Sequence, residues 1–231
     1  MISLPRAAAM LVEDLAYGSR KFAYGRIARL RRLFPAGEKA PVLLIPGVYE
    51  TWDFLRPLAS KLSAAGHPIH VLADLRRNTM PVADAAALAA RYLAEHDLRD
   101  VVIVAHSKGG LIGKHLMLLD DPDTRVARLI ALATPFNGSS RARYFPNKTL
   151  REFMPTQSTL AMLTADATVN ERITSIYGVL DAHIPEGSEL AGARNIRVPV
   201  IGHFRILTDE RVIGVVVDCA DETAPRADVA P

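Results

Sequence analysis

The sequence predicts an α/β protein built on a doubly wound, mostly parallel sheet with helices on both faces. Three observations carry that expectation. Short runs rich in Val, Ile and Leu recur along the chain, around residues 42–45, 69–74, 101–104, 128–135, 173–180 and 194–201. Such near-continuous apolar runs are the pattern of strands covered on both faces. Between them, most intervening stretches place apolar residues at helical spacing, and the joins are short. At 231 residues the chain can fill one such domain and leaves little for a second.

Composition narrows the class. No apolar run approaches the roughly 20 residues needed to span a bilayer, and Met1–Arg6 opens no secretory signal pattern. The single cysteine, Cys219, excludes an internal disulfide and a two-thiolate zinc site. A cytoplasmic setting is the default expectation. Charge is uneven: residues 1–40 carry eight Lys/Arg (Arg6, Arg20, Lys21, Arg26, Arg29, Arg31, Arg32, Lys39) against Glu13, Asp14 and Glu38. The chain as a whole is only +3, so its basic character belongs to this segment. Nothing marks a nucleic-acid partner.

Residues 6–34 read as a basic helix, with Ile27, Leu30, Leu33 and Phe34 on one side and arginines around the other. Such a helix can lie on an anionic membrane surface. Packing its apolar side on the domain, with the arginines in water, is the favoured reading. Pro41–Ile45 is a buried strand ending in the Pro46-Gly47 loop. Thr51–Ala65 forms a helix stopped by Gly66 and Pro68. A strand at Ile69–Asp74 follows, then a helix from Pro81 to about His96.

Val101–Gly110 reads V-V-I-V-A-H-S-K-G-G. Four β-branched residues make the strand, and Leu111, Ile112, His115, Leu116 and Leu119 recur at helical spacing after it. Ser107 therefore sits on a sharp strand-to-helix turn. Small residues two positions either way, Ala105 and Gly109, relieve the collisions such a turn creates. The helix that begins there aims free N–H groups and a positive dipole end at the same place. Residues 136–170 lack a strand signal and read as a loop, then a helix near Thr149–Leu163. A strand from Ile173 is followed by Gly178-x-x-Asp181-x-x-Ile184-Pro185, and another strand spans 194–201. A last helix, introduced by Thr208-Asp209, runs through Val217. The remaining residues, 219–231, read as a flexible tail.

The A-H-S-K-G-G stretch resembles the nucleophile elbow of the α/β-hydrolase family, in particular its bacterial lipase and carboxylesterase branch. The resemblance spans roughly residues 40–218 and implies an α/β-hydrolase domain (41–218) with a small cap at 136–170. Ala105 stands where the commoner pattern has glycine, and Lys108 where many members are apolar. Pro46-Gly47 corresponds to a His-Gly oxyanion loop, so the histidine that usually braces that loop is missing. Thr134-Pro-Phe-Asn-Gly-Ser is similar to a Thr-Pro-His-x-Gly-Ser stretch of bacterial lipases.

The resemblance implies a triad in the order Ser107, Asp181, His203, with Val48 and Lys108 N–H groups as the oxyanion hole. A serine hydroxyl needs an imidazole to take its proton, and the imidazole needs a carboxylate to orient it. His183 rivals His203, while Glu186 and Asp209 rival Asp181. Tyr49, Phe136, Phe153 and Met154 are the expected acyl-binding residues. Lys108 either favours anionic substrates with its ammonium or turns toward a neighbouring loop. No metal spacing or phosphate loop is present, so neither metal nor cofactor is expected. The expected activity is cleavage of carboxylic esters, small-molecule or lipid. Other acyl chemistry on the same triad (thioesterase, amidase, acyltransferase) remains open, as does a non-catalytic binding role. The sequence leaves the oligomeric state unread.

Overall fold

In the computed structural model, which describes residues 12–14, 16–19, 37–144 and 148–222, six strands lie side by side in the order β2-β1-β3-β4-β5-β6, every pair parallel. They are β1 (Val42–Ile45), β2 (Ile69–Val71), β3 (Val101–His106), β4 (Val126–Leu132), β5 (Ile173–Leu180) and β6 (Arg194–Ile201). The helices are α1 (Arg56–Ala64), α2 (Val82–Glu95), α3 (Lys108–His115), α4 (Lys148–Arg151), α5 (Ser158–Ala165) and α6 (Glu210–Asp221). Most of the expected 6–34 helix lies outside the described residues; 12–14 and 16–19 are helical.

The alternation of side chains along each strand divides the core in two. Leu43, Ile45, Ile103, Ala105, Leu129 and Ala131 pack on the face covered by α2, α3 and the cap. Val42, Leu44, Val102, Val104, Ile130 and Leu132 pack on the opposite face, against α1 and α6. β3 is buried along its whole length, which is why its sequence reads as an unbroken apolar run. From β1 the chain steps outward to β2, then returns to place β3 on the other side of β1. The strand order therefore reverses between β1 and β3. In open parallel sheets the carboxyl ends of two such strands bound a crevice that binds ligands.

Several boundaries differ from the sequence reading: the strand expected at 69–74 ends at Val71, and that expected at 128–135 is Val126–Leu132. The expected 51–65 helix opens as a 3-10 turn, Trp52–Leu55, before α1; Pro57 lies at the start of α1, where its missing N–H costs nothing. The expected 149–163 helix is two pieces, α4 and α5. Pro155 lies between them, and proline cannot donate to a helix and disfavours a helical residue before it. α6 runs on to Asp221, so 219–221 of the expected tail are helical, and its residues from 223 on lie outside the described ones. Cys219 and Ala220 are buried, continuing the apolar side of α6 set by Val212, Ile213 and Val216.

Candidate active site

Ser107 lies between β3 and α3, at the switch between β1 and β3. Its backbone has φ 50 and ψ −120, a conformation non-glycine residues rarely adopt and which costs of order 1–3 kcal/mol. The turn is held by the Ser107 N–H donating to Leu132 O at 2.9 Å. Both glycines after it are sterically required. A Cβ on Gly109 would sit 2.2 Å from the Ile45 carbonyl oxygen, and one on Gly110 would sit 2.0 Å from Thr134 Oγ1. The small residue at Gly109 was legible as an elbow position; Gly110 is a packing requirement against Thr134, two residues beyond β4.

Asp181 follows β5 and His203 follows β6. His203 Nδ1 lies 2.6 Å from Asp181 Oδ2. The other Asp181 oxygen accepts from the His183 N–H at 2.8 Å. Burial works against the Asp181 charge, yet the His203 imidazole and these hydrogen bonds hold its carboxyl far below the usual range. His203 is 5% exposed. Its ring lies 4.7 Å from that of His106, the residue before Ser107. Among the described residues Ser107 Oγ has no hydrogen-bond partner, and in unliganded sites such contacts are commonly long.

Two of the rivals are engaged elsewhere, and the third lies beside the pair. Glu186 Oε1 accepts from the Ser140 N–H, and the Asp209 side chain caps α6 through the Arg211 N–H. His183 is nearly half exposed, with Nδ1 3.6 Å from Asp181, and its ring is tilted against that of His203. Asp181, His183 and His203 bring three donor atoms within 4.8 Å of one another.

Lys108 heads α3, so its N–H has no carbonyl a turn earlier to bond. Its side chain is fully buried and donates to Met80 O at 2.5 Å. An ion pair with Glu152 at 3.5 Å ties it to the segment after α4. Burial lowers its pKa, with Glu152 partly opposing that shift. The ammonium thus turns to the loop at Met80 and to Glu152.

No protein-family profile matches the chain, and no curated protein does. Solved structures do match. The mature form of Bacillus licheniformis lipase BlEst2 superposes with a TM-score of 0.65 at 16% identity, over 83% of this chain and 95% of that one. Aspergillus fumigatus lipase B gives 0.66 at 17%, over 85% of this chain and 56% of that one. A monoacylglycerol lipase of Paleococcus ferrophilus gives 0.58 at 13%, over 81% and 96%. The chain has the α/β-hydrolase fold.

The residues expected to line an acyl site lie in two places, in the core cluster on the α3 side and in the loop after β1. Phe136, in the loop after β4, and Phe153, just after α4, are buried in the core on the α3 side. Met154 is half-buried against the same cluster. Tyr49 is half-buried, with a positive φ of 62 in the loop after β1.

Two carboxylates missed by sequence reasoning surround the site. Glu50, 1% exposed, accepts from the Gly47 N–H at 2.7 Å and faces His106 Nδ1 at 2.8 Å. Asp14, 2% exposed, accepts from three consecutive N–H groups: His203 at 3.0 Å, Phe204 at 2.6 Å and Arg205 at 2.6 Å. It thereby caps the 3-10 turn after His203, and Glu13 pairs with Arg205 beside it. A Cβ on Gly202 would lie 2.4 Å from Asp14 Cγ. On the other side, Asn78 Nδ2 donates to Pro46 O at 2.7 Å. A buried acid in a loop has no sequence signature until its partners are known.

Among the described residues no helix is long and apolar enough to cross a membrane.

Proposed function

We propose that the protein is a serine hydrolase of carboxylic esters, acting through an acyl-enzyme. One observation carries the reading: the Asp181–His203 hydrogen bond, with the His203 ring against the residue that precedes a strained Ser107. In this reading Ser107 Oγ attacks the ester carbonyl carbon, and His203 Nε2 takes the hydroxyl proton. Asp181 holds the Nδ1–H tautomer and offsets the imidazolium charge. The Val48 and Lys108 N–H groups meet the oxyanion of the tetrahedral intermediate. His203 then gives its proton to the departing alkoxide. Water, deprotonated by His203, attacks the acyl-serine; the acid leaves and Ser107 recovers its proton. The lipases that share the fold support an ester substrate.

The test is hydrolysis of p-nitrophenyl esters of increasing acyl length by wild type and Ser107→Ala. The expected outcome is turnover by wild type and a loss of at least about 10³-fold in kcat for the variant. A serine-directed fluorophosphonate should label wild type alone. Equal turnover by both proteins would refute Ser107 as the nucleophile.

A further inference from the structure

We propose that Glu50 and His106 are positioning residues: a buried clamp that sets the loop bearing Val48 and the backbone of His203 against the elbow of Ser107. The proposal rests on the hydrolase reading above and goes beyond it.

Glu50 and His106 are 1% and 0% exposed. A buried carboxylate is costly unless its oxygens are satisfied, and here they are. Oε2 accepts from the Gly47 N–H at 2.7 Å, and both oxygens face His106 Nδ1, at 2.8 and 3.0 Å. His106 Nε2 lies 3.0 Å from the His203 carbonyl oxygen. Both ring nitrogens therefore face oxygens, an arrangement that an imidazolium beside the Glu50 carboxylate satisfies. Burial opposes that charge, but Glu50 outweighs it and His106 is raised above its ordinary value.

The placement distinguishes this pair from an ordinary core salt bridge. Its two outer hydrogen bonds end on backbone atoms, one in the 46–50 loop and one on His203, and its middle adjoins Ser107. The Gly47 N–H is committed to Glu50, leaving Val48 as the loop's donor. The approach is so close that a Cβ on Gly47 would lie 2.6 Å from Glu50 Oε1. Neither Glu50 nor His106 is assigned contact with substrate. Their effect is exerted through where the donor loop and the base are held.

Three variants and two readouts test this. The readouts are amide hydrogen exchange of residues 46–50 and 203–207 in the whole protein, and kcat with KM on a p-nitrophenyl ester. In Glu50→Ala both segments should exchange faster while β4 and α6 do not, and kcat should fall about 10²-fold with KM within about threefold. Glu50→Gln can still accept from Gly47 and donate to a neutral His106, and should keep at least about a fifth of kcat. Glu50→Asp keeps the charge but not the reach and should behave like Glu50→Ala; it serves if the alanine variant does not fold. A folded Glu50→Ala or Glu50→Asp with wild-type exchange and kcat would overturn the clamp. So would a change confined to KM, or a rise in exchange spread evenly over the molecule. Wild-type inactivity on every ester would sink the hydrolase reading instead, and the exchange measurement would still decide the clamp.

Discussion

Lys114 and His106 are both buried on the elbow side of the molecule, yet pH acts on them in opposite directions. The Lys114 ammonium on α3 has no hydrogen-bond partner among the described residues. Burial lowers its pKa from 10.5 to about 8, with Asp166 only partly opposing the shift. Between those values the unfolded chain holds the proton and the folded one releases it, so stability rises with pH across that window. Lys114→Met keeps all but the last atom of the side chain's length and removes the charge. It should gain roughly 3 kcal/mol at pH 7 by urea unfolding and flatten the profile from pH 8 to 10. A variant no more stable than wild type at pH 7 would show the ammonium to be well accommodated. His106 is raised, so its contribution is complete below about pH 6.5 and is lost as pH climbs through its folded value. Glu50→Gln should remove that loss, and a wild-type profile in the variant would contradict the ion pair.

Helix α3 and the loop after β6 are set by contacts that a single atom can break. Gly109 passes under the Ile45 carbonyl, and backbone cannot yield as a side chain can. Gly109→Ala should cost about 3 kcal/mol or prevent folding. Gly214, exposed on α6 with nothing within 4 Å of an added Cβ, is the contrast: Gly214→Ala should stabilise by about 0.5–1 kcal/mol. Thermal unfolding of the two variants side by side reads both, and a shift of the same sign in each would undo the steric account. Asp14→Ala strands three N–H groups of the His203 turn. About 3 kcal/mol of stability should go with them, and fluorophosphonate labelling should slow. Labelling at the wild-type rate would show that the turn holds its place without the cap.

For the molecule as a whole, what the sequence disclosed divides by range. The elbow was readable because its causes are local: β-branched residues before Ser107, small ones around it, a helical stripe after. Alternating apolar and helical runs likewise announced a parallel sheet. Its strand order was not announced, since nothing within β1 names β2 and β3 as neighbours. The split between α4 and α5 was written at Pro155 and overlooked, as was the continued α6 spacing at Cys219 and Ala220. Glu50 and Asp14 belong to a different category. Their partners lie 56 and 189 residues away, and a carboxylate alone does not say whom it will meet.

That longest separation bears on the order of folding. Asp14 leaves the ribosome 189 residues ahead of the His203 amide it caps. Closing so long a loop is costly until the intervening sheet has gathered its ends, and parallel pairings are themselves slow to form. The turn carrying His203 should therefore be the final part to set. In refolding from urea, secondary structure should return in an earlier phase than reactivity toward the phosphonate. In Asp14→Ala that lag should lengthen.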